Sequence, residues 1–376
     1  MSKFIIDDGK ALKDFFKVAS PKSPVALEFT NSLVRLSTNI KKIDPIEEAN
    51  LLTRTLSGKG DFEGLYSIEY ISDIKKEIQL LGNEITANVD DDNLTFSSGD
   101  DSFSVNVTQE EIPCMDFMNV SNEQSRKYIL KPGFFKQWEN FSLSGSVDCN
   151  RFFMCGVAID NINKCMVSTD GRRLTFAKLE NLDIDVRHGD DTVIDKIPSC
   201  ASFVKKVFNI KENINVEFVS YSNVESLSAI AIFSDDNGGY RLFIKIAGFQ
   251  YPQWKRAVPD SLDSDVFEID SNDFESCYKK LNVTVDKTSR RVMVHGNRIS
   301  VVEGTESEGN LVEGYSCCLK SKITEDDFKA CFNLDYLHDA IGLSDKATFQ
   351  YQKGQPMKAC VINAGIYSVV VMPMMI

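Results

Sequence analysis

Tyr128-Ile129-Leu130-Lys131-Pro132-Gly133-Phe134-Phe135-Lys136-Gln137-Trp138-Glu139-Asn140-Phe141 reads as a short apolar strand, a polar break and an amphipathic helix. Pro132 suits a first helical turn, where its missing N–H costs nothing. Phe134, Phe135, Trp138 and Phe141 recur at the three- and four-residue spacing that gathers side chains on one helix face. The same plan opens twice more. Phe4-Ile5-Ile6 leads to Leu12, Phe15, Phe16 and Ala19, and Phe267-Glu268-Ile269 leads to Phe274, Cys277, Tyr278 and Leu281. Three related domains are therefore expected, over residues 1–126, 127–264 and 265–376. A chain of 376 residues is too long for one ordinary core, which agrees.

Each third holds a second helical stretch: Ile71, Ile74, Ile78 and Leu81; then Phe203, Val204, Val207 and Phe208; then Leu334, Leu337 and Ile341. Most of the rest alternates or is β-branched, as in Ile85-Thr86-Ala87-Asn88-Val89 and Phe103-Ser104-Val105-Asn106-Val107. The expectation is an α+β fold in which each domain packs two helices on antiparallel sheet.

The hydrophobic fraction of 43% and charged fraction of 26% are those of soluble globular proteins. The opening MSKFIIDDGK lacks the basic and apolar regions of a signal peptide, so a cytoplasmic protein is expected. Ten cysteines without a C-x-x-C pair, and three histidines far apart, point to reduced structural thiols and to no metal. A net charge of −13 argues against nucleic acid unless the basic residues share one surface. Lys10, Lys13 and Lys17 do share a helix face, opposite the Leu/Phe stripe. Lys76, Lys136, Lys205-Lys206 and Lys279-Lys280 also fall away from the apolar sides of their helices. The last helix fits worst, with Lys329 set against Asp335 and Asp339. Taken singly, each lysine is an ordinary solvated residue; agreement among five helices points to a basic helical surface backed by an acidic β surface.

Four segments carry a family likeness. Ser168-Thr169-Asp170-Gly171-Arg172-Arg173-Leu174 is similar to the T-D-G-H-R-L segment of the bacterial DNA polymerase III beta subunit, the sliding clamp. Tyr251-Pro252-Gln253-Trp254-Lys255-Arg256-Ala257-Val258-Pro259 resembles that family's F-P-D-Y-R-R-V-L-P, and Val371-Met372-Pro373-Met374-Met375-Ile376 its V-M-P-M-R-L. Arg151-Phe152-Phe153-Met154 resembles its R-Y-Y-L. The motifs cover the chain from about residue 128 onward; before that the likeness rests on the repeat alone.

The resemblance implies two three-domain protomers joined head to tail into a ring around duplex DNA, with helices inside and sheets outside. It implies no catalysis and no cofactor, and partners that include the replicative polymerase, the clamp loader and other clamp-motif proteins. These insert a short peptide into a pocket implied at Met154, Thr169, Gly171, Arg172, Arg173, Leu174, Pro252, Arg256, Val258, Val370, Met372, Pro373 and Met374. Methionine suits an adaptable apolar site, and the arginines suit a polar rim. Arg172, Met375 and Ala257 depart from the family pattern, which leaves the peptide preference open. DNA contacts are expected, without base reading, from Lys10, Lys13, Lys17, Lys22, Lys76, Arg151, Phe152, Phe153, Lys196 and Lys206. Phe103, Val105, Leu281 and Val283 are candidate subunit contacts, with the acids Glu303, Glu306 and Glu308 facing Lys75.

Two other classes compete. Acidic pairs such as Asp100-Asp101 are candidates for metal or acid–base chemistry, but they sit in turn-forming sequence without the spacing of a calcium loop. A clamp relative that docks or inhibits proteins without encircling DNA retains the same pocket, so the motifs do not separate it from a working clamp.

Overall fold

The computed structural model describes residues 2–40, 50–72, 74–90, 92–109, 125–188, 193–198, 200–223, 226–236, 239–246, 251–303 and 312–375. Six helices lie among them: α1 (Gly9–Val18), α2 (Ile74–Leu80), α3 (Phe134–Ser142), α4 (Ala201–Val207), α5 (Ser271–Thr284) and α6 (Leu334–Ile341). The chain forms two compact units, residues 1–135, 183–191 and 197–249 in one, and 136–182, 192–196 and 250–376 in the other. Residues of the expected middle domain divide between them.

The first unit is built on a 13-stranded antiparallel sheet. Its two halves meet where Tyr240–Ile246 pairs with Asn50–Gly60, from Tyr240 opposite Arg54 to Ile244 opposite Asn50. The far edge is Asp101–Asn106, which pairs only with Asn93–Ser98 among the described strands. Phe4 is fully buried where its strand meets Asn50–Gly60. Gly58 and Gly60 make room for it: a Cβ on either would come within 2.3 Å of the Phe4 ring. Helix α1 starts at Asp8, whose carboxylate accepts the Ala11 N–H at 2.8 Å, and buries Leu12, Phe15 and Phe16. Each such side chain stabilises the fold by about 1.5–3 kcal/mol relative to exposure. The helix ends against α2, where Lys75 donates to the carbonyls of Lys17 (3.1 Å) and Ala19 (2.7 Å).

The second unit holds an eight-stranded and a four-stranded antiparallel sheet. In the larger, Arg173–Lys178 pairs with Tyr367–Val371, with Arg173 opposite Val371 and Leu174 opposite Val370. Helices α5 and α6 bury Phe274, Leu281, Leu334, Leu337 and Ile341 in a core shared with Val292, Phe332 and Phe349. Both helices are capped by side chains, Asp270 accepting from the Asp273 N–H and Asn333 from those of Asp335 and Tyr336. At one edge of the four-stranded sheet, Val312–Cys318 pairs only with Arg298–Glu303 among the described strands.

The helices expected from apolar spacing all form, so the α+β reading holds. Pro132 lies before α3 rather than in its first turn; that turn is closed by the Phe134 N–H on the Lys131 carbonyl at 3.0 Å. No described helix is long and apolar enough to cross a membrane. The described cysteines are all free thiols, most of them buried; Cys317 is half-buried and Cys318 exposed.

Candidate functional site

The strand pairing just described brings two sequence-distant segments side by side. Thr169 and Asp170 tie the turn that joins the strand Cys165–Thr169 to Arg173–Lys178. The Thr169 hydroxyl donates to the Arg173 carbonyl at 2.6 Å and accepts the Gly171 N–H at 3.0 Å. Asp170 Oδ1 accepts the N–H groups of Arg172 (2.8 Å) and Arg173 (3.0 Å). Gly171 has φ +86, so the backbone conformation calls for glycine, although a Cβ there would make only ordinary contact with Met154 Cε at 3.5 Å. The C-terminal strand continues the zipper as the Met372 N–H bonds the Arg172 carbonyl at 3.0 Å.

A cavity of about 730 Å³ opens beside this turn. Met154, Thr169, Gly171, Arg172, Arg173 and Leu174 line one part of it. Pro252, Arg256 and Val258 contribute from a second segment, and Val370 and Met372 from the last strand. Sequence reasoning missed several other walls. Trp254 is one, though it stands inside a motif; its Nε1–H donates to buried Asp160 at 2.7 Å and its ring lies 5.2 Å from that of Phe176. Gln352, Lys358 and Ala359 come from a loop with no motif to announce it. Beneath the site, burial drives the Tyr251 hydroxyl pKa up.

Three assigned pocket residues behave differently from expectation. Pro373 and Met374 do not line the cavity: the Met374 N–H bonds the Cys331 carbonyl at 2.7 Å, and its side chain packs on Met293, Val302 and Cys331. The chain turns away after Met372 because the edge beside Cys331 offers its backbone a partner. Arg173 lines the cavity but is not a free rim residue. Its side chain, 11% exposed, donates to Asp339 Oδ2 at 2.5 Å, to Asp170 Oδ2 at 3.2 Å and to the Leu143 carbonyl. Its guanidinium also stacks over Tyr336 at 4.3 Å.

The basic residues divide. Lys10, Lys17, Lys22, Lys76 and Lys206 are exposed. Lys17 and Lys206 line one cleft of about 470 Å³ with Arg54 and Tyr240. Lys13, by contrast, spends its ammonium on the Leu81 carbonyl at 2.6 Å, where the end of the α2 segment leaves an acceptor. Lys196 is half-buried and already partnered. Arg151 is exposed but reaches the Asp170 carbonyl at 3.2 Å, against the pocket turn. Phe153 is half-buried; the side chain of Phe152 lies outside the described residues. The two acids that spoiled the last helix are paired: Arg290 bonds Asp335 and holds its carboxyl below the usual range, and Asp339 holds Arg173.

Of the proposed subunit contacts, Phe103 and Val105 are half-buried on the edge strand Asp101–Asn106, and Val283 is 84% exposed. Leu281 is 0% exposed in the α5 core and offers no surface to another chain; the helical period that placed it on α5 puts it on the inward face. Lys75, occupied by the end of α1, is not free to face acids either, and burial lowers its pKa. Glu303 is exposed, whereas Glu306, Glu308 and the terminal Ile376 lie outside the described residues. Val312 and Tyr315, exposed on the edge strand Val312–Cys318, were missed. Among the described residues no group of three or more His, Cys, Asp or Glu is placed to hold a metal ion.

Neither a protein-family model nor a curated protein matches the sequence. Solved structures do match. The Helicobacter pylori beta clamp bound to a DNA ligase peptide has a TM-score of 0.70 at 16% identity, over 100% of both chains. The DNA polymerase III subunit beta of Pseudomonas aeruginosa has 0.73 at 14%, over 99% of both. That of Thermotoga maritima has 0.69 at 15%, over 100% of both. End to end, this chain has the fold of the bacterial DNA polymerase III beta subunits, the sliding clamps.

Proposed function

We propose that this chain is a sliding clamp, a non-catalytic ring that encircles duplex DNA and tethers a polymerase and other proteins through the pocket beside Leu174. The observation that carries the reading is the pocket itself. Segments around residues 154, 170, 255 and 371 converge on one cavity of mixed apolar and polar lining, of a size that takes a few peptide side chains. The ligase peptide carried by the Helicobacter pylori clamp is the precedent for such an occupant. A polymerase, a clamp loader and other clamp-motif proteins are the partners this implies, in the cytoplasm and without a cofactor.

The ring reading takes the chain as three repeats with boundaries near residues 126 and 264. Each begins with a strand and a helix, at Ser2–Ile6 and α1, Ser125–Leu130 and α3, and Phe267–Asp270 and α5. Head-to-tail pairing of Asp101–Asn106 with Val312–Cys318 of a second copy closes two free edges. Phe103 and Val105 would then meet Val312 and Tyr315, with Val283 beside them. Lys10, Lys17, Lys22, Lys76 and Lys206 supply the cations for sequence-independent phosphate contact. The decisive test is topological: the protein, loaded on closed circular DNA, should stay bound through gel filtration and be lost once the circle is cut. A docking ring that never encircles DNA is the second reading, favoured by the loss of Lys13 and Lys75 to backbone carbonyls; equal loss from circular and linear DNA would establish it.

A further inference from the structure

The chain carries a net charge of −13, yet the charged side chains around the pocket are Arg172, Arg173, Arg256 and Lys358 against the single carboxylate of Asp260. This local inversion is larger than composition predicts, and the bonding shows which cations stay available. Arg173 is neutralised by Asp170 and Asp339. Arg172 is exposed, and its hydrogen-bond partner is the hydroxyl of Tyr336 on α6, an acceptor without charge. Arg256 and Lys358 are exposed, and among the described residues neither makes an ion pair (for Arg256, the neighbouring backbone forms only the short turn Trp254–Ala257). Among the described residues, three cations without an ion pair thus border the cavity, on a chain whose net charge is −13.

We infer that the pocket selects linear peptides whose apolar anchors are flanked by aspartate or glutamate side chains. The inference rests on the peptide-pocket reading and adds the chemistry of the preferred partner. Leu174, Val258, Val370 and Met372 take the anchors, and Arg172, Arg256 and Lys358 attract the flanking carboxylates. Rim charges of this kind act mainly by steering encounter and rejecting like-charged competitors, so the preference weakens as salt screens it.

Fluorescent peptides with one apolar core, capped at both ends and flanked by glutamate, glutamine or lysine, test this by anisotropy on the full chain. A fourth peptide, glutamine-flanked with a free C-terminus, separates side-chain from terminal carboxylates. At about 50 mM salt the glutamate peptide should bind about tenfold more tightly than the glutamine one, with lysine weakest, and the gap should shrink to about twofold or less near 500 mM. In R256E/K358E the glutamate-to-lysine affinity ratio should fall below one, a ratio that cancels any change in fold. Equal binding of all three capped peptides, or a preference for lysine, overturns the charge selection while leaving the pocket standing. A gain confined to the free C-terminus overturns the side-chain assignment. Binding of none of them, beside an unchanged thermal melt, overturns the pocket reading as well.

Discussion

The pocket of the second unit and the lysine-bearing helices of the first were both legible as candidate sites, and they fared differently in detail. At the pocket, eleven of the thirteen assigned residues line one cavity. On the helices, residues with equal claims parted: Lys10 and Lys17 remain exposed, while Lys13, between them on the same face, is bonded to the Leu81 carbonyl. The difference lies in what fixes each side chain. Thr169, Arg173, Leu174 and Val370 sit at set positions on paired strands and Gly171 and Arg172 on the tied turn, so backbone register decides where they point. A lysine has four rotatable carbons, and a helix C-terminus in reach offers carbonyls that outcompete water. Periodicity locates its Cα and leaves its ammonium undetermined.

If register is what makes the pocket, its rigidity should depend on the groups that tie the turn. The largest effect is expected at Arg173. Arg173→Ala removes the partner of Asp339 and Asp170, whose side chains are 26% and 18% exposed, and should cost about 2–4 kcal/mol of stability, read by urea denaturation. Arg256→Ala, at an exposed position, should cost less than about 0.5 kcal/mol. Similar losses at the two arginines would abolish the distinction between a structural and a free rim cation.

The C-terminus sharpens the same point. Met372→Asp places a charge on the cavity wall and should weaken a clamp-binding peptide about 30-fold in an anisotropy titration. Met374→Asp should act through the fold instead, lowering stability by about 1–2 kcal/mol as the carboxylate meets Met293, Val302 and Cys331. A peptide affinity lost only in the Met374 variant would return that residue to the pocket.

What the sequence made readable follows the same division. Helices were readable because Phe134, Trp138 and Phe141, or Leu334, Leu337 and Ile341, repeat at a helical period that needs no partner. The pairing of Tyr240–Ile246 with Asn50–Gly60 was not readable, because alternation marks a strand without naming its neighbour. Leu281 fell on the inside for a reason visible in advance: it follows Phe274 and Cys277 on one apolar stripe. Met374 could not have been placed by its motif, because its anchor is the Cys331 carbonyl, more than forty residues upstream (374 against 331). Asp335 and Asp339 looked misplaced only because Arg290 and Arg173, their partners, lie on other elements.

On the helices, the comparison breaks down if every lysine behaves alike. Lys10→Glu, Lys17→Glu and Lys76→Glu together should flatten the salt dependence of DNA binding by roughly one unit of log–log slope for each phosphate left without its cation, with the thermal melt unchanged. Lys13→Ala should do the reverse, costing about 1 kcal/mol of stability and leaving the slope nearly as it was. A slope change in the Lys13 variant as large as in the triple variant would put its ammonium on DNA.

A small, pH-dependent effect is expected at His338, where α5 and α6 meet. Its Nε2 lies 2.7 Å from Glu275 Oε2, its Nδ1 3.8 Å from Asp339 Oδ1, and its ring stacks on Tyr278 at 3.8 Å. The neighbouring carboxylates of Asp339 and then Glu275 raise its pKa above the usual value despite partial burial, and the hydrogen bond to His338 lowers that of Glu275. Asp335 on α6 adds a further negative charge nearby, and Lys279 on α5, ion-paired to Glu275 at 3.2 Å, opposes it. Because the folded-state pKa is the higher one, protonation favours the folded chain. The stabilisation is complete below the unfolded value of about 6.5 and is lost as pH rises through the folded pKa. His338 is one-third exposed, so solvent screening holds the gain below about 1 kcal/mol. His338→Gln should therefore lower Tm more at about pH 5.5, where the carboxylates are still ionised, than at about pH 8.5. An equal loss at both pH values would mean that the ring contributes by stacking on Tyr278 and that its charge contributes nothing.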